Sequence, residues 1–250
     1  MYRLSHFLIC PLNLGIKTRS DHSSENDMSE LTQKHVSFGE DAISTVNKLG
    51  ISDSALQAAI EDGLYEIRQS TDLDAKTDPG SRAWGAVIRG LRRELLADNA
   101  DWSFTFVNGL NLTHNKKQGL NILVMSGDKY TGLLEGEPKS KNPKGSATEV
   151  LVGENYSLFN SEPTVSSISK KNKDIDSTIN CVLLYFFDFA KKEVRYELSI
   201  PVGMTDSAGK TRIAAWEERN ILPALPFKAE MKIPPKEEFT ETPVFEVIKK

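Results

Sequence analysis

The residues Cys181-Val182-Leu183-Leu184-Tyr185-Phe186-Phe187, followed after a short gap by Glu193-Val194-Arg195-Tyr196-Glu197-Leu198-Ser199-Ile200, decide the fold. The first run is apolar at every position, the pattern of a central strand covered on both faces. In the second, Val194, Tyr196, Leu198 and Ile200 alternate with Glu193, Arg195, Glu197 and Ser199, which predicts a strand with one buried and one wet face. Two such runs read as a hairpin, and the chain on either side is fitted to the sheet it begins.

N-terminal to it, period-two patterning recurs. Phe104, Phe106, Leu110 and Leu112 share a parity, and the regular spacing of Trp102, Phe104 and Phe106 assigns them to core packing. Asn108-Gly109 fits a two-residue hairpin turn, but the alternation continues past it and favours one bulged strand. Residues 113–119 then form a turn, and Leu120 to Met125 the next strand.

Earlier still, helical spacing takes over. Glu40 to Leu49 predicts a short helix stopped at Gly50. A second begins at Ser52 or Ser54, with Ser54 and Gln57 spaced as a capping box and Leu56, Ile60, Leu64 and Ile67 on one stripe. A third starts at Asp78-Pro79, with Trp84, Val87, Ile88, Leu91, Leu95 and Leu96 on its apolar face. Its other side carries Arg82, Arg89, Arg92 and Arg93, expected as a solvated surface. Ser146 and Glu149 have capping-box spacing for a further helix, and residues 211–220 are expected to be helical, anchored by Ile213 and Trp216.

These elements specify an α+β fold: an N-terminal helical subassembly, then a mostly antiparallel sheet of four or five strands with one or two covering helices. Residues 1–36 are polar and aperiodic and read as a disordered extension. Residues 37–222 form a single domain. Residues 223–250, with prolines at 223, 226, 234 and 235, form an extended arm whose piece Val244 to Ile248 adds an edge strand.

A net charge of −4 excludes a chain built wholesale to coat nucleic acid or anionic membrane. Positive charge is nonetheless concentrated locally: residues 103–147 hold six lysines against three acids. Two cysteines, Cys10 and Cys181, give neither a disulfide framework nor a cysteine zinc site. No run is long enough for a membrane span, and Leu4 to Cys10 lacks the layout of an export signal. The expected compartment is the cytoplasm.

Candidate chemistry centres on the loop from Gly127 to Gly145. It is unusually long, rich in Gly, Lys and Pro, and delivers Lys139, Lys141 and Lys144 to a helix N-terminus, with Lys129 at its start. Backbone N–H groups and the helix dipole favour phosphate there. Lys129, Lys139, Lys141, Lys144, Gly145 and Ser146 are therefore the candidate phosphate-binding set, with nucleic acid the expected partner. The pattern is not a Walker A loop, because Lys144 precedes the glycine.

The alternative is a metal-dependent nuclease using Asp128, Glu193 and Glu197, the only reading that calls for a cofactor, Mg²⁺. A third is a non-catalytic interaction subunit that docks a protein partner through its C-terminal arm. His114 stands beside Asn115-Lys116-Lys117 and is read as an exposed turn residue. No G-x-S-x-G elbow supports a serine hydrolase.

Overall fold

A computed structural model describes residues 35–97, 100–160, 178–207 and 209–227, all within one compact unit bounded by Leu31–Lys250. Their order is β1 (His35–Phe38), α1 (Glu40–Lys48), α2 (Asp53–Arg68), α3 (Asp78–Ala97), β2 (Trp102–Val107), β3 (Leu110–Asn115), β4 (Leu120–Ser126), α4 (Ser146–Asn160), β5 (Ile179–Asp188), β6 (Glu193–Ser207), β7 (Lys210–Ile221) and β8 (Leu225–Pro226). The strands form one mixed eight-stranded sheet in the order β1-β7-β6-β5-β4-β3-β2, with β8 paired to β6. Pairing is antiparallel except for β1–β7 and β4–β5. The fold is α+β, with more strands than the sequence suggested.

Each face of the sheet carries its own core. On one, Leu183, Tyr185, Tyr196 and Leu198 pack with Leu56, Ile60, Val87 and Leu91 of the helices. On the other, Leu123, Met125, Val182, Leu184, Ile213 and Trp216 pack with Val152 of α4. Coverage on both sides is why β5 is apolar from Cys181 to Phe187. Ser52 caps α2 by accepting from the Ala55 N–H at 3.2 Å, so the cap is Ser52 rather than Ser54. Helices α2 and α3 meet at Gly63 and Gly90. A β-carbon at Gly90 would lie 2.9 Å from the Ala59 Cα, so the helices touch backbone to backbone.

Four sequence expectations are corrected. Residues 102–115 are a hairpin, not one bulged strand: Asn108 (φ 51°) and Gly109 (φ 80°) take the two left-handed positions of a type I′ turn. The hairpin leaves Phe104 and Phe106 53% and 71% exposed, outside the core to which their alternation assigned them.

Residues 211–220 belong to a strand. Relative to β6, β7 carries extra residues at Ala214 and Glu217, and each insertion shifts the side-chain parity. Ile213, Trp216 and Arg219 thereby share a face at a spacing of three, which imitates a helix.

The domain limits also move. His35 and Val36, assigned to the extension, pair in β1 with Glu218 and Arg219. At the other end Leu225 and Pro226 pair with β6, and Phe227 packs edge-on against Phe189 and under Arg68. The rest of the predicted extension, residues 161–177 and the arm beyond 227, including Val244 to Ile248, lie outside the described residues.

The fourth correction concerns β6. Arg195 and Glu197 are 4% and 0% exposed, and Ser199 is fully buried. The face read as wet is the floor beneath the lysine loop.

Candidate functional site

The loop owes its length to topology. Parallel neighbours β4 and β5 require a crossover from the end of one to the start of the other, and residues 127–145 with α4 belong to that crossover, over the second face. The loop is held at each step. Gly127 donates to the Tyr185 carbonyl (2.8 Å), Asp128 to that of Lys139 (3.0 Å), and Lys141 to that of Ser126 (2.9 Å).

Its second half runs along β7 where β1 no longer pairs. Ser140 donates to the Ile213 carbonyl (3.1 Å), Lys144 to that of Thr211 (2.8 Å), and the Trp216 indole to that of Pro138 (2.9 Å). A solvated mobile loop would show none of this.

The strongest anchor is ionic. Glu197 and Arg219, both fully buried, form a salt bridge through two nitrogens of the guanidinium. Glu197 also accepts from the Ser199 hydroxyl and from the Gly132 N–H, each at 3.0 Å. Arg219 donates onward to the carbonyls of Leu133 (3.0 Å) and Gly136 (3.4 Å). Such a pair is tolerated in the interior only when its remaining donors and acceptors are satisfied, and here loop backbone satisfies them. Gly132 is required on two counts: its φ is 68°, and a β-carbon there would lie 2.7 Å from the Arg195 Cβ.

This arrangement breaks up the carboxylate set. Both Glu197 oxygens are taken, Glu193 stands 3.7 Å from the Arg195 guanidinium, and Asp128 accepts from the Tyr130 N–H in a local turn. No group of three His, Cys, Asp or Glu side chains suited to a metal occurs among the described residues. The donor set does not fit Mg²⁺.

The lysines are distributed unevenly. Lys129 sits 4.9 Å from the ring of its neighbour Tyr130. Lys141 is exposed, while Lys139 and Lys144 are half-buried. Ser146 is the first residue of α4, and Gly145, not Ser146, takes the cap position, its carbonyl accepting from Thr148 (3.0 Å) and Glu149 (3.3 Å).

One residue that sequence reasoning missed belongs with this set. Arg212 lies close enough to Lys144 that burial, and then the guanidinium charge, lower the Lys144 pKa. The Arg212 Nε is buried without an acceptor. Neither side chain forms an ion pair among the described residues. Only the pairing of the loop with β7 could have revealed Arg212, and the helical reading of 211–220 concealed it.

The arginines of α3 are committed elsewhere. Arg82 pairs with Asp74 and Asp78, Arg89 with Glu66, and Arg93 with Asp62 and Glu94. Arg92 reaches Thr113 and stacks 4.5 Å from the Phe104 ring centroid.

His114 lies within β3 rather than in a turn, half-buried, its Nε2 2.7 Å from the Ser103 Oγ. Burial, and then the charge of Lys116, lower its pKa below the usual imidazole value. Ser103, His114, Asn121 and Asn180 occupy successive strands at one level. The row ends at buried Asn155 of α4, which donates to the carbonyls of Asn180 and Pro201 at 2.8 Å each. It docks α4 onto the sheet where a bulge in β6 frees the Pro201 carbonyl. No carboxylate partner of His114 occurs among the described residues, so the Ser103–His114 pair lacks the third group that orients a catalytic base.

A shallow recess of about 450 Å³ lies against α1, lined by Glu40, Ile43, Ser44, Asn47 and Lys48, and includes no loop residue. No helix among the described residues is long and apolar enough to cross a membrane. The fold and site define an α+β protein whose sheet is roofed on one side by a pinned basic loop. Comparison with family models, curated proteins and solved structures finds no match to this chain.

Proposed function

We propose that the chain binds a phosphate-bearing ligand, with nucleic acid as the partner, through cations gathered at the start of α4. The observation that carries this is the juxtaposition of Lys144 and Arg212, two half-buried like charges with no carboxylate partner among the described residues. Like charges held together in partial burial repel, and an anion bridging them relieves both the repulsion and the unmet Nε. Gly145 leaves the approach to the helix N-terminus open, since a β-carbon there would meet nothing within 4 Å. Lys141, Lys139 and Lys129 extend the positive surface along the loop. The same reading expects a cytoplasmic protein, in keeping with the free thiol of Cys181.

The test is fluorescence anisotropy with labelled single- and double-stranded oligonucleotides across a salt series. Lys144→Gln with Arg212→Gln is expected to weaken binding and to flatten the log–log salt slope by about one per phosphate contact removed. Affinity and slope matching the unaltered protein would overturn the assignment.

A further inference from the structure

Among the described residues, no strand pairs with the outer edge of β2. From Trp102 to Val107 it carries no charge and no proline. Phe104, Phe106 and Val107 expose 53%, 71% and 45% of their surface. Native edge strands are ordinarily blunted by charge, proline, brevity or a covering element. The two-residue β8 with Pro226 and the four-residue β1 fit that rule, but β2 does not.

Its free hydrogen-bonding groups follow from the turn. A two-residue loop closes on a hydrogen-bonded pair, here Val107 with Leu110. Val107, Thr105 and Ser103 therefore direct their N–H and C=O groups toward β3. Phe106 and Phe104 direct theirs outward.

We propose that β2 pairs antiparallel with β2 of a second copy of this chain, joining two sheets across a two-fold axis. Directly opposed residues must lie on the same face, so the axis passes through a residue rather than between two. Centred on Thr105, the register sets Phe104 opposite Phe106 of the second copy, twice over. It also sets Ser103 opposite Val107, and Asp101 opposite the neutral Gly109. Centred on Phe104, it would place apolar Val107 opposite Asp101, whose carboxylate is paired with Lys117. A parallel arrangement would bring Asp101 beside its own copy. Charge and shape thus select the Thr105 register, in which the outward groups of Phe104 and Phe106 bond each other and cross-strand aromatic pairs form.

Light scattering of the full chain over a wide concentration range tests this. A species of twice the chain mass is expected, reduced to a monomer by Phe106→Lys. Thr105→Cys, in a Cys10→Ser background, is expected to cross-link on mild oxidation, because the opposed non-hydrogen-bonded pair has the separation a disulfide needs. Phe106 is mostly exposed, so the lysine variant should retain its near-ultraviolet circular dichroism. Should it misfold, the cross-link decides alone. A monomer at every concentration, a dimer unaffected by Phe106→Lys, or a Thr105→Cys protein that does not cross-link would each overturn the proposal.

Discussion

Glu197 and Arg219 show what one residue pair does for the loop above it. With both groups fully buried, removing one partner leaves an uncompensated charge. Glu197→Ala is expected to lower the unfolding free energy by about 3–5 kcal/mol. The double change Glu197→Leu with Arg219→Met should cost less than Glu197→Ala alone. Urea denaturation compares them, and a single-variant loss no larger than that of a surface substitution would refute the clamp.

Lys144 contributes in the opposite sense. Its pKa is lowered in the fold by burial and by Arg212, so below the depressed value the charged form opposes folding to its full extent. As pH rises from there toward the ordinary value near 10.5, the unfolded chain holds more protons and stability climbs. That alkaline rise should be absent from Lys144→Gln, as chemical denaturation at stepped pH would reveal. If both proteins lose stability in parallel, the two cations do not interact as described.

Among the elements, the crossing of α2 and α3 depends on what is missing from Gly63 and Gly90. Because a β-carbon at Gly90 would press on the Ala59 backbone and the Asp62 carboxylate, Gly90→Ala is expected to destabilise by about 1–3 kcal/mol through overpacking, despite alanine's better helix propensity. A rise in melting temperature would contradict the backbone contact.

The helices themselves were readable, since Leu56, Ile60, Leu64, Val87 and Leu91 repeat at the helical period and all are buried. Their close approach was not readable, because a glycine in a helix looks the same whether it faces water or another backbone. Strand β7 failed for a related reason: bulges reset the two-residue period, and residues three apart came to share a face.

For the whole molecule, cover on both faces isolates the middle of the sheet. Cys181 lies at 1% exposure, and burial pushes its thiol up to about 12. In a Cys10→Ser protein, alkylation at mildly alkaline pH should proceed only as fast as global unfolding. Modification well ahead of the loss of circular dichroism would mean that one face opens independently.

The sequence by itself determined the class of fold, the helical stripes, the two-faced central strand and the position of the basic loop. Each rests on local periodicity or composition, which the chain carries wherever it folds. Only the tertiary structure decided that Glu197 is buried against Arg219, that Arg212 joins Lys144, and that Phe104 and Phe106 stand at an open edge. Those outcomes depend on which segments lie beside one another: a crossover loop turned a wet face into an interior, and a hairpin turned an expected core into a margin.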